Sequence, residues 1–140
     1  MNNIFRYFYE ILSIQKLVRD KIVDNMKKDK QNPQGVRILE DKEYLIELKK
    51  KLKEEMEEFL STSNEAEMKE ELADVQEVID YLKKVLKMKD EDFKKFQKKK
   101  VEKNGEFDKR IYLESVGIKE DSKWLDYFIK NSDRYPLIKK

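Results

Sequence analysis

The chain has 140 residues, of which 32 are Lys or Arg and 30 are Asp or Glu, so its formal net charge at pH 7 is only +2. This balance excludes a basic field over the whole molecule, and the absence of Cys and His excludes disulfides, thiolate nucleophiles, a Ser-His-Asp triad and the usual zinc ligands. A charged fraction of 44% with only 3 Gly and 2 Pro favours one all-α domain, whose helices carry narrow apolar stripes.

Residues 1–15 are predicted to form an aromatic extension ahead of the domain, either helical or extended. The segment is interrupted by Arg6 and Glu10 and lacks both a basic start and a small-residue cleavage site, so it is not typical of a signal peptide. No stretch approaches the roughly 20 apolar residues that a membrane-spanning helix needs. We therefore expect a cytoplasmic protein with no membrane partner.

The first helix is predicted at residues 16–28, followed by a turn-rich break at 29–35 and a short extended piece at 36–39. A long helix is then predicted from Asp41, a good N-cap residue, to about residue 60. The polar loop 61–64 is short, so the next long helix, at 65–88, should run antiparallel to it as an αα-hairpin.

Three further elements are predicted towards the C-terminus. A fourth helix spans 90–103 and ends at the Asn104-Gly105 pair, which is typical of a helix C-terminus. Residues 110–113 are an apolar run compatible with an extended segment. A final short helix is expected at 122–131, before Pro136.

Acidic residues spaced three apart are frequent in both long helices, so the informative question is which of them face the apolar stripe. At about 100° per residue, Glu55 lies inside the stripe of the first long helix and Glu58 on its edge. Glu71 lies near the middle of the second stripe and Asp74 at its edge, whereas Glu77 and Asp80 point away from it.

A carboxylate inside an apolar stripe is costly unless it is paired or binds a cation. Convergence of Glu55, Glu58, Glu71 and Asp74 across the hairpin would be strongly repulsive without a divalent cation, and oxygen ligands alone favour Mg²⁺, with Mn²⁺ as the other candidate. The alternative is that Glu55 and Glu71 form ion pairs with Lys or Arg of another helix.

The acidic residues form the pattern EExxE at 54–58 and ExxD at 71–74, and two further segments accompany it, KLVRDKI at 16–22 and NGEFDKRIYL at 104–113. In this order they resemble the MazG-like all-α nucleotide pyrophosphohydrolase superfamily. The closer similarity is to its branch of house-cleaning non-canonical nucleotide pyrophosphatases, related to phosphoribosyl-ATP pyrophosphohydrolase. The resemblance covers about residues 16–115 and leaves 116–140 as a C-terminal extension.

The resemblance implies a helical bundle around the antiparallel pair, and Mg²⁺-dependent hydrolysis of a nucleoside triphosphate to monophosphate and pyrophosphate. Glu55, Glu58, Glu71 and Asp74 would hold the metal, with Glu54 and Glu55 as catalytic residues and Glu54 also a weaker candidate ligand. The basic residues expected to bind phosphate are Lys16, Arg19, Lys21, Lys100, Lys103 and Arg110. Neither the base nor the sugar of the substrate can be named.

Two other functions are compatible with the sequence. One is a protein of the same fold that binds or senses nucleotides without hydrolysing them. The other is a helical nucleic-acid-binding module that uses the lysines at 94–95 and 98–100, which the near-neutral net charge disfavours. Whichever function applies, we expect a homo-oligomer, a dimer or higher. The reason is that Val78, Tyr81 and Val85 widen the apolar stripe of the second long helix beyond what one small chain can cover.

Overall fold

The computed structural model describes residues 10–138, which form five α-helices and no β-strand. The helices are Ile22–Lys28 (α1), Asp41–Ser61 (α2), Glu65–Val85 (α3), Asp90–Asn104 (α4) and Leu125–Lys130 (α5). The prediction of an all-α fold is therefore confirmed. Residues 1–9, the larger part of the predicted aromatic extension, lie outside the described residues, and residues 10–15 are not helical.

The helices α2 and α3 pack along each other and are joined by only three residues, 62–64. The two helices run antiparallel. Glu55 meets Glu71 near the connection, and at the other end the pKa of Tyr44 is raised by burial and by the nearby Tyr81. Asn64 fixes the start of α3, since its side chain accepts hydrogen bonds from the backbone N–H groups of Ala66 and Glu67.

The start of α2 differs in detail from the prediction. Asp41 is the first helical residue and Glu40 occupies the N-cap position, without a side-chain hydrogen bond to the helix. Asp41 and Glu43 place negative charge in the first turn, where the helix dipole favours it. Arg37 donates two hydrogen bonds to the Glu43 carboxylate and so connects the preceding segment to this turn.

Several predicted boundaries were wrong. The first helix begins at Ile22, not at residue 16, because Lys16 and Arg19 extend to carboxylates of α2 and α3. Residues 36–39 and 110–113, predicted as extended segments, belong to neither a helix nor a strand, and Arg110 departs from extended backbone with a φ of 53°. The last helix is also shorter than predicted, at Leu125–Lys130, after a turn in which Leu125 N–H donates to the Ser122 carbonyl.

Two compact units are present, Met1–Gln97 and Lys98–Lys140, described here over residues 10–97 and 98–138. The division falls within α4, and the predicted limits at residues 15 and 115 stay predictions. In the first unit the buried apolar side chains are Leu48 of α2 and Val78 of α3, and Glu55 is buried with them. No described helix is long and apolar enough to cross a membrane.

Candidate metal centre

Three carboxylates from the two long helices converge near the hairpin connection. Glu55 comes from α2, and Glu71 and Asp74 come from α3, where a spacing of three residues puts them on adjacent turns of one face. One carboxylate oxygen from each lies within 4.8 Å of the others. Carboxylate oxygens at this separation form a donor set that suits Mg²⁺ or Mn²⁺.

Glu71 is the member of this group whose surroundings fit a cation best. Its Oε2 atom is buried and has no hydrogen-bond partner. Burial raises the pKa of Glu71 above its usual value, and the negative charges of Glu58, Asp74 and Glu55 raise it further. No Lys or Arg between residues 10 and 138 lies within ion-pair distance of this carboxylate. A cation bound here would satisfy an acceptor that the protein leaves unsatisfied.

Glu58 lies beside the three carboxylates and is more exposed than they are. Its charge is the largest electrostatic contribution that raises the pKa of Glu71, so the two side chains are near neighbours. Its oxygens are not within the 4.8 Å group formed by Glu55, Glu71 and Asp74. This exposure agrees with its position at the edge of the α2 stripe.

Glu54 is placed differently from the other acidic residues. Its Oε1 is 2.7 Å from Lys16 Nζ and its Oε2 is 3.2 Å from Lys51 Nζ. The hydrogen bond from Lys16 lowers the pKa of Glu54, and the hydrogen bond from Lys51 adds to this against the opposing effect of burial. Glu54 is therefore a weaker proton acceptor than an ordinary glutamate.

Arg19 extends from the segment before α1 to Asp74, with 2.5 Å between Nη2 and Oδ1. Lys16 pairs with Glu54, and Leu17 and Val18, which lie between Lys16 and Arg19 in the sequence, are half-buried. Residues 16–19 therefore lie against the hairpin. Two residues predicted to bind phosphate thus contact carboxylates of the candidate site directly. The third, Lys21, is exposed at the N-cap of α1 and makes no ion pair within the described part of the chain.

The remaining predicted phosphate-binding residues belong to the second unit. Lys100 and Lys103 are exposed on the last turns of α4. Arg110 is exposed in the following loop and has a positive φ of 53°, a conformation that does not continue a strand. Their contribution to phosphate binding stays a prediction.

Glu77 and Asp80 repeat the ExxD spacing of Glu71 and Asp74 one and a half turns further along α3. Asp80 accepts a hydrogen bond from Gln76 at 2.9 Å and lies 3.9 Å from Lys83 Nζ, and Glu77 is exposed. Neither belongs to the group of three carboxylates. The same sequence spacing therefore gives two different environments, according to the face of the helix.

Lys51 is a residue of the site that the sequence analysis missed. Its Nζ lies 2.9 Å from Glu55 Oε1, and its side chain is only 18% exposed. Burial lowers the pKa of Lys51, but the hydrogen bonds to Glu55 and Glu54 outweigh this effect, so the net shift is upward and the ammonium stays charged. The available signal was the spacing of four residues from Glu55, which places opposite charges side by side on a helix.

Among residues 10–138, neither Glu55 nor Glu71 pairs with a Lys or Arg of another helix. Glu55 pairs instead with Lys51 of its own helix.

No family model, curated protein or solved structure matches the chain.

Proposed function

We propose that the chain is a Mg²⁺-dependent nucleoside triphosphate pyrophosphohydrolase, which releases a nucleoside monophosphate and pyrophosphate. The observation that carries the proposal is the convergence of Glu55, Glu71 and Asp74 within 4.8 Å, with one buried oxygen of Glu71 left without a hydrogen-bond donor. The EExxE and ExxD patterns that supply these residues, and their resemblance to MazG-like enzymes, support the same reaction.

The metal would be held by Glu55, Glu71 and Asp74, with Glu58 as the fourth ligand. When bound, Mg²⁺ would neutralise phosphate charge and lower the pKa of a coordinated water. Glu54, with its lowered pKa, suits the orientation of a water molecule better than the removal of its proton. Burial and the neighbouring carboxylates raise the pKa of Glu71 in the metal-free protein, and a cation bound beside it would favour its ionised form.

Lys16 and Arg19 are well placed for the substrate phosphates, because they already lie at the edge of the carboxylate group. Phosphate oxygens would compete with Glu54 and Asp74 for these cations, and Arg19 can donate two hydrogen bonds to a phosphate at once. Release of Asp74 from Arg19 would leave that carboxylate available to the metal. Substrate and metal binding would therefore support each other.

We also propose that the active protein is a homo-oligomer. Apolar residues along α3 and at its C-cap follow alternating spacings of four and three residues, the pattern of a helix-packing seam: Met68, Leu72, Val75, Ile79, Leu82 and the C-cap residue Leu86. Leu72 and Leu86 are each 56% exposed although they belong to this seam. A second copy of the chain would cover it.

A nucleotide-binding protein without turnover is the second candidate. The observation in its favour is that Glu54, a candidate catalytic residue, is held by two lysines. Such a protein would bind a nucleoside triphosphate with Mg²⁺ and leave it intact.

Turnover of a panel of normal and modified nucleoside triphosphates with Mg²⁺ tests both candidates. Products are separated by chromatography, and phosphate is quantified with malachite green before and after added pyrophosphatase. The expected result is monophosphate plus pyrophosphate, the products that the resemblance implies; Glu55, Glu71 and Asp74 would hold the Mg²⁺, which would activate a water for attack on phosphorus. Diphosphate and free phosphate as first products would contradict the reaction, and tight binding without products would favour the sensor.

A further inference from the structure

Lys16, Arg19 and Lys51 pair with carboxylates at the candidate metal centre, and Lys51 is the least exposed of the three. Its ammonium lies between two consecutive carboxylates, 3.2 Å from Glu54 Oε2 and 2.9 Å from Glu55 Oε1. The side chains of Lys51 and Glu55 are 18% and 7% exposed, so water screens this pair less than an ordinary surface pair. The positive charge is therefore part of the site itself.

The charges around the centre divide into paired and unpaired groups. Glu54, Glu55 and Asp74 contact lysine or arginine side chains. Glu58 and Glu71 have no basic partner within residues 10–138. The partners of Glu54 and Asp74 include Lys16 and Arg19, which come from a non-helical segment, whereas Lys51 is on α2 one turn before Glu55. Movement of residues 16–19 would remove two cations from the centre but would leave Lys51 in place.

We propose that Lys51 is a resident counter-ion of the metal centre, which competes with the divalent cation for the Glu55 carboxylate and thereby sets the affinity of the site. The inference rests on the proposed function only in that Glu55 is a metal ligand. In the metal-free protein Lys51 offsets the repulsion between neighbouring carboxylates. When a divalent cation binds, the same ammonium repels it, so the site holds the cation less tightly than its carboxylates alone would.

If Lys51 competes with the cation in this way, removing its positive charge should strengthen divalent cation binding. Lys51→Met keeps most of the aliphatic stem and removes the ammonium. We expect divalent cation binding to become about tenfold tighter at low ionic strength, because one adjacent positive charge acting on a divalent cation is worth roughly that factor even at the dielectric constant of water. A residue that only held Glu55 in position would, when replaced, weaken the binding.

The experiment is a Mn²⁺ titration of the full chain without nucleotide, followed by the electron paramagnetic resonance signal of free Mn²⁺. Lys51→Arg retains the charge and should bind Mn²⁺ as the unmodified chain does. Lys53→Met is the matched control, since Lys53 also pairs with a glutamate four residues on, Glu57, but on a side of α2 where both side chains are mostly exposed. Circular dichroism establishes that each variant is helical, and Lys51→Gln is titrated if Lys51→Met does not fold.

Tighter binding by Lys51→Met alone, with a larger rise in melting temperature on adding Mn²⁺, supports the proposal. Unchanged or weaker binding by a folded Lys51→Met or Lys51→Gln variant overturns it and leaves the metal centre standing. An equal effect in Lys53→Met also overturns it, because that result would reflect net charge alone. If neither the unmodified chain nor any variant binds Mn²⁺, the metal centre fails together with this inference.

Discussion

The Glu71 side chain combines a buried oxygen atom with the lack of any basic partner among the described residues. Burial and three neighbouring acidic residues raise its pKa, which means that its ionised form is disfavoured in the metal-free protein. We predict that Glu71→Gln abolishes turnover and greatly reduces the stabilisation by Mg²⁺. For the unmodified chain that stabilisation should reach about 2.7 kcal/mol at a Mg²⁺ concentration 100 times the dissociation constant. Product assays and thermal unfolding with and without Mg²⁺ measure both effects.

Without metal, Glu71→Gln should be as stable as the unmodified chain or more so, because the change removes repulsion at nearly constant volume. Glu77→Gln is the control, since Glu77 has the same spacing to an aspartate but is exposed and outside the carboxylate group. Activity and the Mg²⁺ response should survive in that variant. A metal-free Glu71→Gln protein destabilised by several kcal/mol would instead indicate a lost ion pair.

Helical periodicity selected four carboxylates, Glu55, Glu58, Glu71 and Asp74, from a sequence with 30 acidic residues, and all but Glu58 belong to the group within 4.8 Å. The reason is that an amphipathic stripe fixes the angular position of every residue on its helix. Periodicity was not sufficient to place Lys16 and Arg19, whose ion pairs span 38 and 55 residues of sequence. Such contacts depend on the path of a non-helical segment. A segment of this kind has no regular repeat from which the directions of its side chains can be predicted.

The start of α3 depends on one capping side chain. Asn64 Oδ1 accepts hydrogen bonds from the backbone N–H groups of Ala66 at 2.8 Å and Glu67 at 3.3 Å. We predict that Asn64→Ala lowers the free energy of unfolding by about 1 kcal/mol, because two N–H groups of the first turn lose their acceptor. Urea unfolding followed by circular dichroism measures the change. Ser63→Ala, one residue earlier and without a capping bond, should have little effect.

The start of α4 is connected to α3 by Asp90, whose Oδ1 is 2.5 Å from Lys83 Nζ. The hydrogen bond from Lys83 lowers the pKa of Asp90, so this carboxylate stabilises the fold above the pKa of the unfolded chain. That stabilisation is lost as the pH falls through the lowered pKa of the folded state. We predict that Asp90→Asn reduces the melting temperature at pH 7 and that the difference disappears in strong acid.

Comparison with Glu91→Gln separates the contribution of the ion pair to stability from that of the helix dipole. Glu91 is also an acidic residue of the first turn of α4, but it forms no ion pair within the described part of the chain. A smaller, salt-sensitive loss of stability is expected for it, since only the dipole interaction is removed. If both variants lose the same amount at pH 7, the contact with Lys83 contributes nothing measurable, as is common for exposed pairs.

Local sequence signals predicted some helices better than others. The hairpin followed from two long apolar stripes and a short polar loop, and α2 and α3 lie close to the predicted ranges. The first helix was predicted six residues too early, because residues 16–21 have a helix-compatible composition but their cations bind to α2 and α3 instead. A tertiary contact overrode local propensity there.

Few side chains among residues 10–138 are removed from solvent. The buried hydrophobic residues in this range are Leu48 and Val78, with 3% and 6% exposure. Apolar burial is the dominant stabilising contribution to a fold, so a hairpin with so little of it would gain from another surface. The proposal of a homo-oligomer therefore rests on the first unit and does not depend on the acidic residues of the metal centre.

The seam along α3 exposes two leucines. Leu72 and Leu86 lie two heptads apart, with Ile79 midway between them, and covering the exposed part of each leucine would gain on the order of 1 kcal/mol. We predict a dimer or larger assembly by light scattering at tens of micromolar, and a shift towards monomer in Leu72→Glu and Leu86→Glu. Ala73→Glu adds the same charge to α3 on the opposite side and should leave the assembly intact. A monomer for the unmodified chain, or equal dissociation by Ala73→Glu, would mean that the seam does not bind a second copy.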